Sequence, residues 1–461
     1  MPPSRARVKA SARGIGAFRG GNAIPQRGRS RPRRRNVLLS ARHTDVVVVG
    51  AGLAGLRTAH HLVAAGVSVI VVEASQEVGG RMATDTVDGY RLDRGGQLLD
   101  ASFAGAEQPS GLEKLRLLPL AAGPVVRSSD SAGDGGGRAG RRIGDAIDRA
   151  RLNAVLGRIT AVPEHRLLAR PETTAARVPL ARGLSPRTAD GYLRPLLTAL
   201  LHDPDLTTSS RCADLALRRY ARGRLCMPSG GAATVPELLA SGLPAGTIRL
   251  GVCATAVATD SVTTAEHGRI SCRAVVVATD ARAAARLLPG LRVPEFLPVT
   301  VVHHAAGSPP PYGPALVLEA ARRGPVGRTL AAGEVDPSRV PPGGGTLVTT
   351  TLLGPRGDTG DAELDRTVRD RLAALYGVST RDWQLLSVRH DPFALPSMSA
   401  PHDMHRPVRL LAGLYVCGDH RDTSSAQGAL DSGRRAAEQV LRDLGVTPPL
   451  PALPRPVPTA A

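Results

Sequence analysis

The chain has 461 residues, 42% apolar and 21% charged, which suits two or three cores at about 150 residues each and lacks the run of roughly 18 apolar residues that a bilayer span needs. The formal charge is +19, but residues 1–42 hold eleven Arg and one Lys with no acid, so most of the excess sits in a leader and the rest is mixed with acids rather than clustered. That excludes a nucleic-acid footprint, and no specific nucleic-acid partner is expected.

The five cysteines, Cys212, Cys226, Cys253, Cys272 and Cys417, are odd in number and contain no C-x-x-C pair. They argue against a disulfide framework or a metal site and for a reducing, cytoplasmic setting. Residues 1–42, rich in Arg, Gly, Pro and Ser, read as a disordered leader. An organellar transit peptide, a twin-arginine signal at Arg34 and Arg35 and a misassigned start codon are the other readings of the same composition.

Asp45–Val49 is an apolar β-branched run, followed by Gly50-Ala51-Gly52-Leu53-Ala54-Gly55 and a stretch in which Leu56, Ala59, Leu62 and Val63 recur at helical spacing. Gly66 stops that helix, and a second strand, Val67–Val72, ends at Glu73, followed by Ala74. In such a unit Gly50 permits the turn, Gly52 lets a pyrophosphate approach the backbone, and Gly55 lets the helix pack on the strand. The helix N-terminus offers free N–H groups to phosphates, and Glu73 suits the adenosine ribose while repelling a 2′-phosphate. FAD or NAD fits; NADP does not.

Beyond Glu73 lie Gly79-Gly80-Arg81, whose arginine can pair phosphate oxygens, and Gly89-Tyr90-Arg91-Leu92-Asp93-Arg94-Gly95-Gly96-Gln97. Thr234-Val235-Pro236-Glu237 reads as a capping-box helix start, Ile248–Val257 and Ala274–Ala278 as strands, and Asp280 as the cap of a helix to Leu288. Leu410–Cys417 reads as a strand closed by Gly418-Asp419. A helix from about Gly428 to Leu444 then carries Gly428, Ala429, Gly433 and Ala437 on a face that could approach a flat ring. Its N-terminus would stabilise negative charge on a reduced flavin. The Pro-rich tail, 446–461, reads as unstructured.

Taken together, Gly50 to Gly55, Glu73, Gly79-Gly80-Arg81, Gly95-Gly96-Gln97 and Gly418-Asp419 with Gly428-Ala429 resemble the flavin-containing amine oxidase superfamily, which includes phytoene desaturases and protoporphyrinogen oxidases. The likeness spans about residues 44–445, with Arg194-Pro195-Leu196 and Met227-Pro228-Ser229-Gly230-Gly231 in its middle. It implies an α/β fold: a discontinuous, Rossmann-like, doubly wound FAD domain from 43–110, 215–290 and 405–445, and an α+β substrate domain from 111–214 and 291–404. It also implies non-covalent FAD, with Gly50 to Gly55, Gly80 and Arg81 at the pyrophosphate and Glu73 and Ala74 at the adenosine ribose. Gly95, Gly96 and Gln97 would lie near the isoalloxazine, and Val257 would meet the adenine side through its backbone, with Ala278 close by. Gly418 and Asp419 would meet the ribityl chain or pyrophosphate, and Gln427, Gly428 and Ala429 the ring.

In this reading hydride equivalents pass to flavin N5 from a small apolar substrate, with oxygen or a quinone as acceptor, and no side-chain nucleophile is required. The catalytic side chains stay unassigned. The lysine that amine oxidases place near N5 has no counterpart, since Lys9 lies in the leader and Lys114 outside the expected region. Tyr312, Tyr376, Trp383, Phe393 and Tyr415 are the later aromatics from which a cage could arise, so a true amine oxidase is the weaker reading. A flavin-binding protein without turnover and an NAD-dependent dehydrogenase are further alternatives. His390, His402, His405 and His420 are acid/base candidates, and a peripheral membrane contact stays open.

Overall fold

A computed structural model describes residues 44–96, 98–103, 109–121, 123–127, 146–320 and 324–447. The expectations for the leader, for Gln97 and for all but the start of the tail lie outside the described residues.

Val46–Val49 is four consecutive valines, all buried. A run with no polar alternation can be satisfied only if both faces of its sheet are covered, as in parallel sheets. The six-stranded sheet around it meets that demand. In spatial order it comprises Arg409–Leu411, Leu414–Val416, Ala274–Val277, Val46–Val49, Val69–Glu73 and Ile248–Leu250. All neighbours are parallel except the 409–411 edge. One face, with Val46, Val48, Val71 and Val276, packs against the first helix, Leu53–Ala64, and the C-terminal helix, Ala426–Leu444. The other face, with Val47, Val49, Val72 and Val277, is covered by the short helix Ala281–Leu287 and the strands around Val262 and Cys272. The expected α/β class is what the structure shows.

A second six-stranded sheet takes the order Gln384–Pro396, Phe296–Ala306, Thr346–Leu353, Val326–Ala331, Val317–Glu319 and Val125–Arg127. It is antiparallel except for its last pair. Its core is shared with the helices Ala146–Ala161, Arg194–Leu201 and Ser210–Arg222 through residues such as Leu152, Leu196 and Leu217.

Three local expectations need correction. Leu410–Cys417 is not one strand: Gly413, at φ +84°, turns the chain back so that Arg409 pairs with Tyr415. A Cβ at Gly413 would lie 2.7 Å from the Thr259 carbonyl oxygen. Ile248–Val257 is broken at Gly251 (φ +68°), and Ala254–Val257 joins a separate three-stranded sheet. Thr234 does not cap its helix, whose N-cap is Ala233 without a side-chain partner. Long-range acceptors hold the N–H groups there instead, Asp93 for Ala232 at 2.8 Å and Thr84 for Ala233 at 3.0 Å. The Asp280 cap is present, its carboxylate accepting from the N–H groups of Arg282 and Ala283.

Candidate FAD site

The turn after the first strand is shaped by its glycines. Gly50 has φ +106°, and a Cβ there would stand 3.0 Å from the Ala278 carbonyl oxygen. Gly50 N–H donates to Val72 O at 2.8 Å, and Ala278 N–H to Val49 O at 2.8 Å, so Ala278 walls the turn from the neighbouring strand. A Cβ at Gly55 would collide with the Gly50 carbonyl, which is why this helix sits so close to its strand. Gly52 differs: it is the helix N-cap, has no capping side chain, and its Cβ position faces open space. The first N–H groups of a 12-residue helix, which has no acid in its first turn, therefore face that space.

Glu73 lies at the end of the second strand. One carboxylate oxygen accepts from Ala51 N–H at 2.8 Å and the other from Ser75 N–H and Oγ, each at 2.9 Å. It thus braces the glycine turn, and as an acceptor-only group it keeps lone pairs for a sugar hydroxyl. Ala74 is exposed beside it. Gly79 bridges to Gly52 and donates to Ala51 O at 2.9 Å. That laces the second glycine loop to the first and places Gly80 and Arg81 beside the open space.

Arg81 is where the distant segments meet. Its guanidinium donates to Asp419 Oδ1 at 2.7 Å and to the Ala394 carbonyl at 2.7 Å. Asp419 is buried, follows Gly418 (φ +141°), and belongs to the strand end adjacent to Ala274–Val277. Gly418 N–H donates to Ser432 Oγ at 3.0 Å, fixing the loop to the C-terminal helix. That helix begins at Ala426, two residues before the expected start, capped by Ser425, which accepts from Gly428 N–H at 3.0 Å. Gln427, Gly428 and Ala429 therefore form its first turn. Its small residues serve packing more than expected: a Cβ at Gly433 would strike Ala54 O of the first helix, and one at Gly428 would strike Thr423 O. The face through Gly433 and Ala437 is thus occupied by a helix rather than open to a flat ring.

His420 supplies an observation about the ligand. It is 4% exposed, yet neither ring nitrogen has a hydrogen-bond partner among the described residues, and burial pushes its imidazole down to about 4. A buried unpaired ring between Asp419 and Arg421 fits a site that receives a polar ligand. With the open space at Gly52, it makes the cradle compatible with a dinucleotide. Among the other candidates, His390 Nδ1 lies 2.8 Å from Thr300 Oγ1 on a sheet strand, burial pushes the His402 imidazole down, and His405 is exposed. Val257 is half-buried in the small three-stranded sheet, opposite Val262. Cys417 is fully buried, with Thr58 Oγ1 3.7 Å from its sulfur, and burial pushes its thiol up to about 12.

Gly95 and Gly96 stand against the second sheet, where a Cβ at Gly96 would lie 2.5 Å from Thr351 Oγ1 and 3.2 Å from an Arg328 nitrogen. Next to them an apolar cavity of about 120 Å³ reaches the N-terminal turn of the C-terminal helix, lined by Leu98, Phe103, Leu215, Met398 and Gln427 among others. The later aromatics lie elsewhere. Tyr376 packs with Tyr312 and Trp383, Phe393 with Phe296, and Tyr415 donates to Asp443 at 2.6 Å. Lys114 is exposed on a short turn.

The sequence reading missed the buried ionic knot beside this site. Arg339, 1% exposed, donates to Asp93 at 2.7 Å, to Asp336 at 3.3 Å and to Pro228 O at 3.0 Å. Arg339 lies in a Pro- and Gly-rich stretch of a chain with 57 arginines, so nothing marked it locally.

A glycine turn at the carboxyl end of a parallel strand, closed by an ion pair from the far end of the chain, defines a dinucleotide-binding oxidoreductase of the Rossmann-like class. The chain belongs to the flavin-containing amine oxidoreductase family, whose sequence pattern matches residues 53–441. It is an FAD-dependent oxidoreductase. It is 29% identical over 434 residues to the hydroxysqualene dehydroxylase of Rhodopseudomonas palustris, covering 86% of this chain and 98% of that one. Its fold is similar to an oxidoreductase from Methanosarcina mazei, with TM-score 0.65, 16% identity, and 86% and 100% of the two chains covered. It is also similar to putrescine oxidase bound to putrescine, with TM-score 0.62, 18% identity and 87% and 99% covered.

Proposed function

We propose that the enzyme oxidises or desaturates an apolar substrate bound in the cavity at the N-terminal turn of the C-terminal helix, with oxygen or a quinone as acceptor. The observation that carries this is the cavity wall. It is mostly apolar, with six leucines, and its two formally charged residues, Asp100 and Arg219, are of opposite sign, so it offers an ammonium group no net attraction. A relative that is a hydroxysqualene dehydroxylase agrees with a hydrocarbon-like substrate.

In this proposal Gly50, Ala51, Gly52, Leu53, Ala54, Gly55, Gly80 and Arg81 hold the pyrophosphate, and Glu73 and Ala74 face the adenosine ribose. Val257 and Ala278 flank the adenine side, Gly418 and Asp419 the ribityl chain, and Gly95, Gly96, Gln97, Gln427, Gly428 and Ala429 the isoalloxazine. FAD supplies the hydride-accepting chemistry. The chain's own residues bind it, orient it and keep water from the apolar cavity. The two sheets support the proposed division into an FAD-binding domain (43–110, 215–290 and 405–445) and a substrate domain (111–214 and 291–404), except that the boundary at 214/215 falls inside the helix Ser210–Arg222, which packs with the second sheet. Among the described residues no helix is long and apolar enough to cross a membrane, and a cytoplasmic location, suggested by five unpaired cysteines, belongs to the same proposal. Anaerobic titration with polyenes, porphyrinogens and amines, read as bleaching of the flavin absorbance, tests the substrate class. Reduction by an apolar compound is expected, and reduction by amines alone would overturn it.

A further inference from the structure

Two of the buried arginines, Arg328 and Arg339, are eleven residues apart and opposite in company. Arg339 is paired with two carboxylates. Arg328, 5% exposed in the strand Val326–Ala331, has no carboxylate partner among the described residues. Its guanidinium donates only to neutral acceptors, Ala199 O and His202 Nε2, each at 2.9 Å. Burial without a compensating anion pushes its proton affinity down to about 10, still a cation at neutral pH.

An uncompensated guanidinium in a core is strongly unfavourable unless something else meets its charge. Arg328 faces a narrow cavity of about 30 Å³ bounded by Gly95, Gly96, Leu98, Met227 and Thr351, and by Asp93, whose carboxylate is taken up by Arg339. Leu98 also lines the apolar substrate cavity, so the two spaces adjoin. The unneutralised cation thus lies behind the glycine pair proposed to flank the isoalloxazine. A flavin ring carries more negative charge when reduced than when oxidised, and a fixed charge in a water-poor site acts on it with little screening.

We propose that Arg328 is a positioning residue that serves as the counter-charge of the reduced isoalloxazine, its field left uncancelled so that it raises the reduction potential of the bound FAD. The assignment rests on the placement of the ring along Gly95–Gly96 and the first turn of the C-terminal helix.

The test uses the FAD-loaded full chain and measures FAD stoichiometry and midpoint potential. Arg328→Met is expected to retain FAD and shift the potential negative, whereas Arg328→Lys, which keeps the charge, stays near the parent. Thr351→Asp puts a carboxylate beside an intact Arg328 and is expected to shift the potential the same way, which covers the case of a poorly folding Arg328→Met. A parent-like potential in FAD-loaded Arg328→Met or Thr351→Asp overturns the assignment, as does an equal negative shift in Arg328→Lys. Gln427→Ala reports the ring placement separately. An unchanged flavin absorbance there removes the placement and the assignment together, and a changed absorbance with a parent-like potential in Arg328→Met removes the assignment alone.

Discussion

Gly52 and Gly55 lie within one turn of the same helix but refuse a side chain for different reasons. At Gly55 the obstacle is the protein's own Gly50 carbonyl; at Gly52 no protein atom stands within 4 Å of the Cβ position. Gly52→Val should therefore fold with a near-parent melting temperature and take up no FAD, while Gly55→Val should lose upward of about 3 kcal/mol of stability through overpacking. Thermal melts and FAD stoichiometry after reconstitution check both, and an FAD-loaded Gly52→Val would show that the phosphates lie elsewhere. Asp419→Ala leaves Arg81 without its carboxylate partner at 2.7 Å and with only the Ala394 carbonyl as acceptor. A charge-assisted bond contributes about 1.5–3 kcal/mol, so FAD affinity should fall roughly 10- to 100-fold, read by equilibrium dialysis; undiminished affinity would separate the pair from the cofactor. Each of these residues was legible singly, because a turn or a ribose contact demands a residue type. Their meeting was not, since a linear chain states no distance between positions 81 and 419.

The elements were legible where one physical demand dominates. Four buried valines and a Gly-rich turn leave little alternative to a covered parallel strand and a helix, and Ser425 and Gly445 bracket the C-terminal helix as a cap and a left-handed stop. The hairpin at Gly413 was hidden because Leu410-Leu411-Ala412-Gly413-Leu414 reads as one apolar run, and only the positive φ of one glycine reveals the reversal. The small residues of the C-terminal helix were seen but given the wrong neighbour at Gly433, where the first helix comes close enough that Thr58 Oγ1 donates to Gly433 O at 3.0 Å. Gly433→Val should wedge the two helices apart, costing about 1–3 kcal/mol or more. Urea unfolding measures this, and a parent-like midpoint would mean that the helices can separate freely.

At the scale of the whole molecule, polar contacts between distant segments join the parts. Asp93 binds Arg339, Thr84 and Ala232, while its carbonyl accepts from His303 Nε2 at 3.0 Å. Apart from Thr84, which faces Asp93 across a local hairpin, these partners are far away in sequence, which is why this level was the least legible. The arrangement also has a consequence for acid stability. Burial pushes the imidazoles of His303 and His420 down to about 4, against an ordinary value of about 6.5 in the unfolded chain. Above that ordinary value both states are neutral and neither ring affects stability. As pH falls from about 6.5 towards 4 the unfolded chain takes up protons that the fold refuses, so stability declines by up to about 3 kcal/mol per ring. Asp336 and Glu172, held below the usual carboxylate range, add a loss of the same sign only at lower pH, and Asp422, pushed up by burial, opposes it in part. Urea unfolding of the cofactor-free protein at pH 7.5 and pH 5 should therefore show a clear drop at the lower pH, and His303→Gln should make it smaller while His420 keeps its share. A free energy of unfolding that does not change between these pH values would mean that the buried rings are solvated or protonated in the fold, and that the contact between Asp93 and the second sheet is looser than its geometry implies.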